Sequence, residues 1–320
     1  MTTRILGTGS ALPKTTWTND DLSAFIDTSD EWIRTRTGII RRQIAAREES
    51  AASLGAEAGR KAIENSGTAL EEIEMILAAT CSDEGYFPSA ACRIQAELGV
   101  RGAVCMDINA ACSGFLFALH TAHAYVQSGI YQKILVIGTE TMSRVIDWKD
   151  RSTCVLFGDG AGACVVGKDE KGILGFSQYS DGSRGSVLTG TAATLATPGD
   201  GAHPAGALFM DGQAVFRFAV KTVPECIQDT LEKTGKNIHE IDLFVLHQAN
   251  SRIIHSVAKR LGAPEEKFPI NLNEHGNTSA ASIPILLDEL NREGRLERGS
   301  LIMLAGFGAG LTWGTALLEW

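Results

Sequence analysis

The string Asn109-Ala110-Ala111-Cys112-Ser113-Gly114-Phe115 sets a cysteine between an apolar run and a helical repeat. Ala103–Ile108 before it reads as a buried strand; Phe115, Leu116, Leu119, Ala122 and Val126 after it recur at helical spacing. This places Cys112 at a helix N-terminus, where unpaired N–H groups and the positive end of the dipole favour the thiolate, the nucleophilic form of sulfur. Small neighbours leave an acyl group room to approach. Taken alone, such a cysteine is more often a small buried apolar residue, so its partners decide the matter.

Two later strings supply partners. His247-Gln248-Ala249-Asn250 follows the apolar strand Ile241–Leu246, whose end would deliver a histidine to a cleft. Asn277 opens a helix in Asn277-Thr278-Ser279-Ala280-Ala281-Ser282. An asparagine there is either an N-cap or, with His247, a donor to one carbonyl oxygen, as stabilising an enolate requires. The loop Gly306–Gly314 is too rich in glycine for regular structure. It would let the Gly308 or Ala309 amide join that of Cys112 in a second oxyanion hole, although a tight turn between strands explains the same glycines. No G-x-G-x-x-G with a ribose-binding acid follows, which removes a dinucleotide site.

Strand-like and helical runs alternate: Met75–Thr80, Ala90–Leu98, Ala103–Ile108, Gly114–Gly129, Ile134–Gly138 and Ala161–Val166. This is an α/β pattern with mixed or parallel sheets. It repeats. Ile73–Ala78 lines up with Ile241–Leu246, and Ile134–Gly138 with Ile302–Gly306, both 168 residues on; Asp107-Ile108-Asn109 answers Asn271-Leu272-Asn273 at 164. The expectation is two related halves, 1–170 and 171–320, whose equivalent turns converge beyond the strand ends. Residues 182–206, rich in Gly, Ala, Thr and Pro, read as an excursion from the core, a lid or tunnel wall or else disordered.

The 320 residues, 44% apolar and 21% charged, suit an ordinary globular protein with a sizeable core. A net charge of −9 argues against general nucleic-acid binding. No apolar run reaches the roughly 18 residues that span a bilayer and no signal-peptide pattern is seen, so a cytoplasmic location is expected. The seven cysteines contain no C-x-x-C pair, suggesting neither a disulfide framework nor a metal site; Cys105, Cys154 and Cys164 read as core. Arg34, Arg36, Arg41 and Arg42, and later Arg252, Lys259 and Arg260, form basic clusters that serve an anionic partner or merely face solvent.

These motifs, with Gly7–Pro13, Thr28–Ile33, Arg36–Ile39 and Leu156–Ala163, resemble the ketoacyl-acyl-carrier-protein synthase III enzymes, condensing enzymes of the thiolase superfamily, over essentially the whole chain. The resemblance implies a thiolase-like fold of two halves in α-β-α-β-α layers. It implies that Cys112 is acylated by acyl-CoA, a substrate rather than a resident cofactor. His247 and Asn277 would then hold the carbonyl of malonyl-acyl-carrier protein as CO₂ leaves, starting fatty acid synthesis. It places Thr28, Trp32, Arg36, Arg151, Asp211 and Asn250 at coenzyme A, Phe87 in the acyl pocket of a partner in a homodimer, and Arg252 at the carrier protein. Asp211 stands where some members have asparagine, and Ala309 where some have glycine. Secondary-metabolite condensing enzymes and acyltransferases of the superfamily keep the same triad and are the alternative. A biosynthetic thiolase would show a second cysteine in Gly306–Gly314, and elongating synthases a second histidine at Asn277. A noncatalytic acyl-CoA-binding protein would not need the triad, nor a cysteine hydrolase Asn277.

Overall fold

The structure, a computed structural model, describes residues 1–190 and 208–320. The strands of its two main sheets are β1 (Thr2–Ala11), β2 (Met75–Ala79), β3 (Val104–Ile108), β4 (Lys133–Thr141), β5 (Asp159–Asp169), β6 (Ile173–Ser180), β7 (Leu243–Leu246), β8 (Leu301–Gly308) and β9 (Thr312–Glu319). The helices that matter here are α1 (Asp30–Thr37), α2 (Ala51–Ser66), α3 (Ala90–Leu98), α4 (Gly114–Ser128), α5 (Gly212–Thr234), α6 (Ser251–Leu261) and α7 (Ser282–Arg292). A five-stranded sheet runs β1-β5-β4-β2-β3 and a four-stranded sheet β7-β8-β9-β6.

Alternation along the strands builds the layers. In β2, Met75, Leu77 and Ala79 face the inner core while Ile76 and Ala78 face the outer one under α2 and α3. In β8, Ile302 and Leu304 face the inner core while Met303 and Ala305 face a third core that includes residues of α5 and α6. Helices α4 and α7 fill the inner core between the two sheets. Successive strand side chains point to opposite faces, so strands covered on both sides must be apolar throughout, as these are. The result is the thiolase-like α-β-α-β-α arrangement.

The repeat is visible residue by residue. Met75 pairs in parallel with Ile134, and 168 residues on, Leu243 pairs in parallel with Ile302. The 164-residue match is corrected. Asn271–Asn273 does not answer Asp107–Asn109; Leu272–His275 is a short helical turn, its preceding Asn271 tied to Glu289 by a 2.7 Å hydrogen bond. The true equivalent of Asn109 is Asn277, again 168 residues on. The 3-10 turns Ala111–Ser113 and Ser279–Ala281 that follow correspond, with positive φ at both Ala111 (45°) and Ser279 (49°).

The reading of Ala103–Ile108 as buried is also corrected. Among the described residues β3 pairs only with β2, and at this edge Val104 and Met106 are 45% and 36% exposed and Cys105 is only partly buried. Cys154 and Cys164 are fully buried. Of the 182–206 segment, Gly182–Val187 forms a 3-10 turn and Leu188–Thr189 pairs with Phe209–Met210; the rest lies outside the described residues. Among the described residues no helix is long and apolar enough to cross a membrane.

Candidate active site

Cys112 sits in the turn just before α4, buried. The second half lies directly against it. A Cβ on Gly138 in β4 would fall 2.3 Å from the Ala280 carbonyl oxygen, so the absence of a side chain there lets the Ser279–Ala281 turn rest on β4. In that turn the Ser279 hydroxyl donates to Glu140 Oε1 (2.9 Å) and lies 3.7 Å from the Cys81 sulfur. The thiolate expected from the helix terminus is not the resting form. Burial pushes the Cys112 thiol up to about 12; the Ser279 hydrogen bond opposes this, the Glu140 carboxylate adds to it, and the sulfur's own backbone amide opposes it. The helix end is present, but desolvation outweighs it.

In the second half, Asn277 is bonded to the Ser279–Ala281 turn and His247 to Ser282, the residue that follows it. His247 follows β7, its amide bonded to the Ala305 carbonyl of β8 (2.8 Å) and its ring edge-on to Phe307 (5.4 Å). Nδ1 lies 2.7 Å from the Ser282 hydroxyl, which also faces the Gln248 amide at 3.4 Å. The Ser282 hydroxyl can donate to Nδ1, and in that tautomer the ring carries its own hydrogen on Nε2. Burial lowers the His247 pKa to about 3, keeping the ring neutral, a donor through Nε2–H. The Oδ1 of Asn277 accepts from the Ser279 amide (2.9 Å), which fixes the side-chain plane and leaves the NH₂ group to donate. That bond is the cap-like one, and it leaves the NH₂ group for the donor reading of Asn277.

The glycine loop closes on Cys112. A Cβ on Gly308 would lie 2.7 Å from the Cys112 nitrogen, a position no side chain can share. Thr312 Oγ1 donates to the Ala110 carbonyl (3.0 Å) and lies 2.8 Å from Ser113 Oγ, tying the loop to the cysteine turn. Among the described residues the Ala309 amide has no acceptor.

A buried sulfur at one turn thus faces the corresponding turn of the second half, to which a neutral imidazole and a side-chain amide are bonded, with a glycine loop against the Cys112 amide. Residues 106–182 match the family described as 3-oxoacyl-[acyl-carrier-protein] synthase III, and 231–320 its C-terminal part. The chain is 47% identical to beta-ketoacyl-[acyl-carrier-protein] synthase III of Clostridium acetobutylicum, over 99% of this chain and 98% of that one. The chain belongs to the synthase III family. The 3-oxoacyl-[acyl-carrier-protein] synthase III of Aquifex aeolicus superposes with a TM-score of 0.93 at 44% identity, covering 99% of this chain and all of that one. A priming β-ketosynthase of a polyketide pathway gives the same score at 38% identity, covering 99% and 96%.

In this family member the residues assigned to coenzyme A gather around α1. The guanidinium groups of Arg36 and Arg151 lie over the Trp32 ring at 4.6 and 4.8 Å. The Asn250 Nδ2 donates to the Arg36 carbonyl (3.1 Å) while its Oδ1 caps α6. The Thr28 hydroxyl is buried with no partner among the described residues. Asp211 is partly committed elsewhere: its Oδ1 caps α5 through the Gln213 and Ala214 amides, leaving Oδ2. Arg252 donates to the Thr35 carbonyl (2.9 Å) and stays exposed beside this cluster. Phe87 is not part of the chain's own site. It is 86% exposed, next to Tyr86 at 77%.

Of the early arginine cluster only part is a basic surface, Arg36 being exposed over Trp32. Arg42 is fully buried, bonded to Asn19 (2.8 Å) and the Val155 carbonyl (2.9 Å), and burial lowers its pKa to about 10. Arg41 and Arg34 pair with Glu274 and Asp30, and in the later cluster Arg260 pairs with Glu225. Sequence reasoning missed Ser282, Ser279 and Glu140. The signal for Glu140 was a lone carboxyl closing the apolar run Ile134–Thr139; the two serines carried none.

Proposed function

We propose that Cys112 is the acylated nucleophile and that His247 and Asn277 together stabilise the enolate formed in a decarboxylative condensation. As a synthase III the chain is an acyltransferase that makes the first carbon–carbon bond of fatty acid synthesis. Acyl-CoA transfers its acyl group to the Cys112 sulfur, and free CoA leaves. The Cys112 and Ala309 amides receive the thioester oxygen at this stage. Malonyl-acyl-carrier protein then loses CO₂, its thioester oxygen held by His247 Nε2–H and the Asn277 NH₂. The resulting carbon attacks the acyl carbonyl, giving 3-ketoacyl-carrier protein. One observation carries this reading: a neutral histidine whose Nδ1 is taken up by Ser282 and an amide whose oxygen is occupied each leave a nitrogen to donate, as an enolate oxygen needs.

On the same reading Trp32, Arg36 and Arg151 present a stacking plane and positive charge to the nucleotide of coenzyme A, with Thr28, Asn250 and Asp211 Oδ2 as polar partners. Arg252 meets the acidic carrier protein. The exposed edge of β3 and the exposed Phe87 belong to a homodimer: an unpaired apolar edge favours pairing with a second copy, which would bring Phe87 to the partner's acyl pocket. The setting is the cytoplasm, consistent with seven cysteines all free.

The test is product analysis with a panel of acyl-CoAs and malonyl-acyl-carrier protein. A 3-ketoacyl product whose chain length follows the primer, absent with Cys112→Ser, supports the reading. Acyl transfer to another acceptor with no new carbon–carbon bond moves the enzyme to the specialised acyltransferases, and a product made equally well by Cys112→Ser removes the nucleophile.

A further inference from the structure

A second histidine stands just before Asn277. The short turn Leu272–His275 ends two residues ahead of it, and the chain then runs against residues 156–158. The Asn277 amide donates to the Leu156 carbonyl (2.8 Å), and the Gly158 amide donates to the Asn277 carbonyl (3.1 Å). A Cβ on Gly158 would run into the His275 carbonyl oxygen, and one on Gly276 would lie 2.9 Å from the Leu156 oxygen. The two segments are therefore in close contact, and a shift at His275 is passed on to Asn277.

Both ring nitrogens of His275 face acceptors. Nδ1 lies 2.9 Å from Gln43 Oε1, and Nε2 lies 2.7 Å from Glu289 Oε1. The Gln43 amide cannot turn round, because its Nε2 donates to the Glu274 carbonyl (3.3 Å), which only a donor can meet. Each contact of the ring then needs a hydrogen. The one shared with Glu289 rests on the ring, since imidazole is the stronger base by roughly two pH units. Burial would raise the Glu289 carboxyl, but the hydrogen bond and charge of His275, with Asn271 and Arg292, hold it below the ordinary carboxylate range.

Glu289 also reaches towards the other enolate donor. Its Oε2 accepts from the Asn271 side chain (2.7 Å), and the Asn271 amide donates to Gln248 Oε1 (3.1 Å), the residue after His247. On α7, Glu289 lies seven residues beyond Ser282, the partner of His247 Nδ1, and so on the same helix face. The other charged groups on the surrounding elements have partners of their own. Arg41 pairs with Glu274, Arg42 is bonded to Asn19, Asp159 accepts from the Ala45 and Ser143 amides, and Arg292 pairs with Asp288.

We infer that His275 is an imidazolium paired with Glu289, and that it is a positioning residue for the condensation stage. A neutral ring could serve only one of its two acceptors, leaving the other without a donor. Losing the His275 proton thus loosens the arm that carries Asn277 and slows enolate formation, while acylation of Cys112 is untouched.

The inference rests on His247 and Asn277 being the enolate donors, and it predicts a pH profile. Wild type and variants are charged with acetyl-CoA, freed of excess and given malonyl-acyl-carrier protein at pH values from about 6 to about 9. Discharge of the acetyl adduct is read by intact mass. By then Cys112 is acylated, and His247 stays neutral over this range, so neither adds a pH dependence. Glu289→Gln removes the counter-charge and should move the alkaline fall in discharge down by about 1–3 pH units, with acylation as in wild type. Gln43→Met removes the acceptor at Nδ1, should move the fall the same way by less, and serves if Glu289→Gln does not fold. Variant profiles parallel to wild type, whatever their height, overturn the inference, as does an equal shift in acylation. An adduct that fails to form, or that discharges only to water, would instead remove the condensing assignment on which the inference rests.

Discussion

Asn109 and Asn277 each open the same backbone device. The asparagine Oδ1 accepts from the amide two residues on, Ala111 (3.2 Å) or Ser279 (2.9 Å), a residue at positive φ starts a 3-10 turn, and an inner helix follows. The next residue differs: Cys112 in the first half, Ala280 in the second. The asparagines differ as well, Asn277 being buried and Asn109 exposed. One turn therefore offers a sulfur and the other an amide. The same strand end that yields Ala79 in the first half yields His247 in the second. The two equivalent turns lie against one another, and on the proposed assignment the chemistry is divided between them, covalent capture in one half and enolate stabilisation in the other.

That division is broken most severely at the sulfur. Cys112→Ala should leave no acyl-enzyme and cost about 10⁴-fold or more in turnover, measured as 3-ketoacyl-carrier protein formed. In the other half, Asn277→Ala and His247→Ala should each cost about 10²–10³ in condensation, followed as CO₂ release. Acylation by acyl-CoA should survive both, because neither side chain belongs to the first stage. Equal losses in acylation and condensation would show that the halves are not separable.

The loop that bridges the halves comes next. Gly308→Ala drives a methyl group into the Cys112 amide; a clash of this kind costs about 1–3 kcal/mol in stability, seen in urea unfolding, and acylation should fall with it. Ser282→Ala removes the hydroxyl that settles the His247 tautomer and should lower condensation about tenfold with acylation unchanged. A fall in both stages would make Ser282 a packing residue only.

The smallest effect is on stability. His247 has a pKa of about 3 in the folded protein against an ordinary 6.5, so unfolding takes up a proton between these values. Its contribution is therefore lost as pH falls below about 6.5. From about pH 7 to about pH 5, wild type should lose roughly 2 kcal/mol more than His247→Gln in urea unfolding. Equal losses would mean that the histidine is not held neutral by burial.

Much of this was legible because it depended on pattern. Two-residue and 3.6-residue periods placed β2, β4, α3 and α4, and the 168-residue repeat of the strands led to the expectation that the turns carrying Cys112, His247 and Asn277 converge. What failed depended on burial. The dipole argument for Cys112 weighed the helix end without its desolvation, and Ala103–Ile108 looked buried although it pairs on one side only. The 164-residue match followed two asparagines in sequence, whereas the fold aligns Asn109 with Asn277 through positive φ. Glu140 was passed over because one acid at the end of an apolar strand looks like its solvent-facing edge.

The division of labour is tested most directly by Asn277→Ala, charged with acetyl-CoA, freed of excess and then given malonyl-acyl-carrier protein, with intact mass followed over time. The account predicts an acetyl adduct on Cys112 that forms as in wild type and then persists where wild type discharges it at once. Discharge into 3-ketoacyl product at the wild-type rate would contradict it.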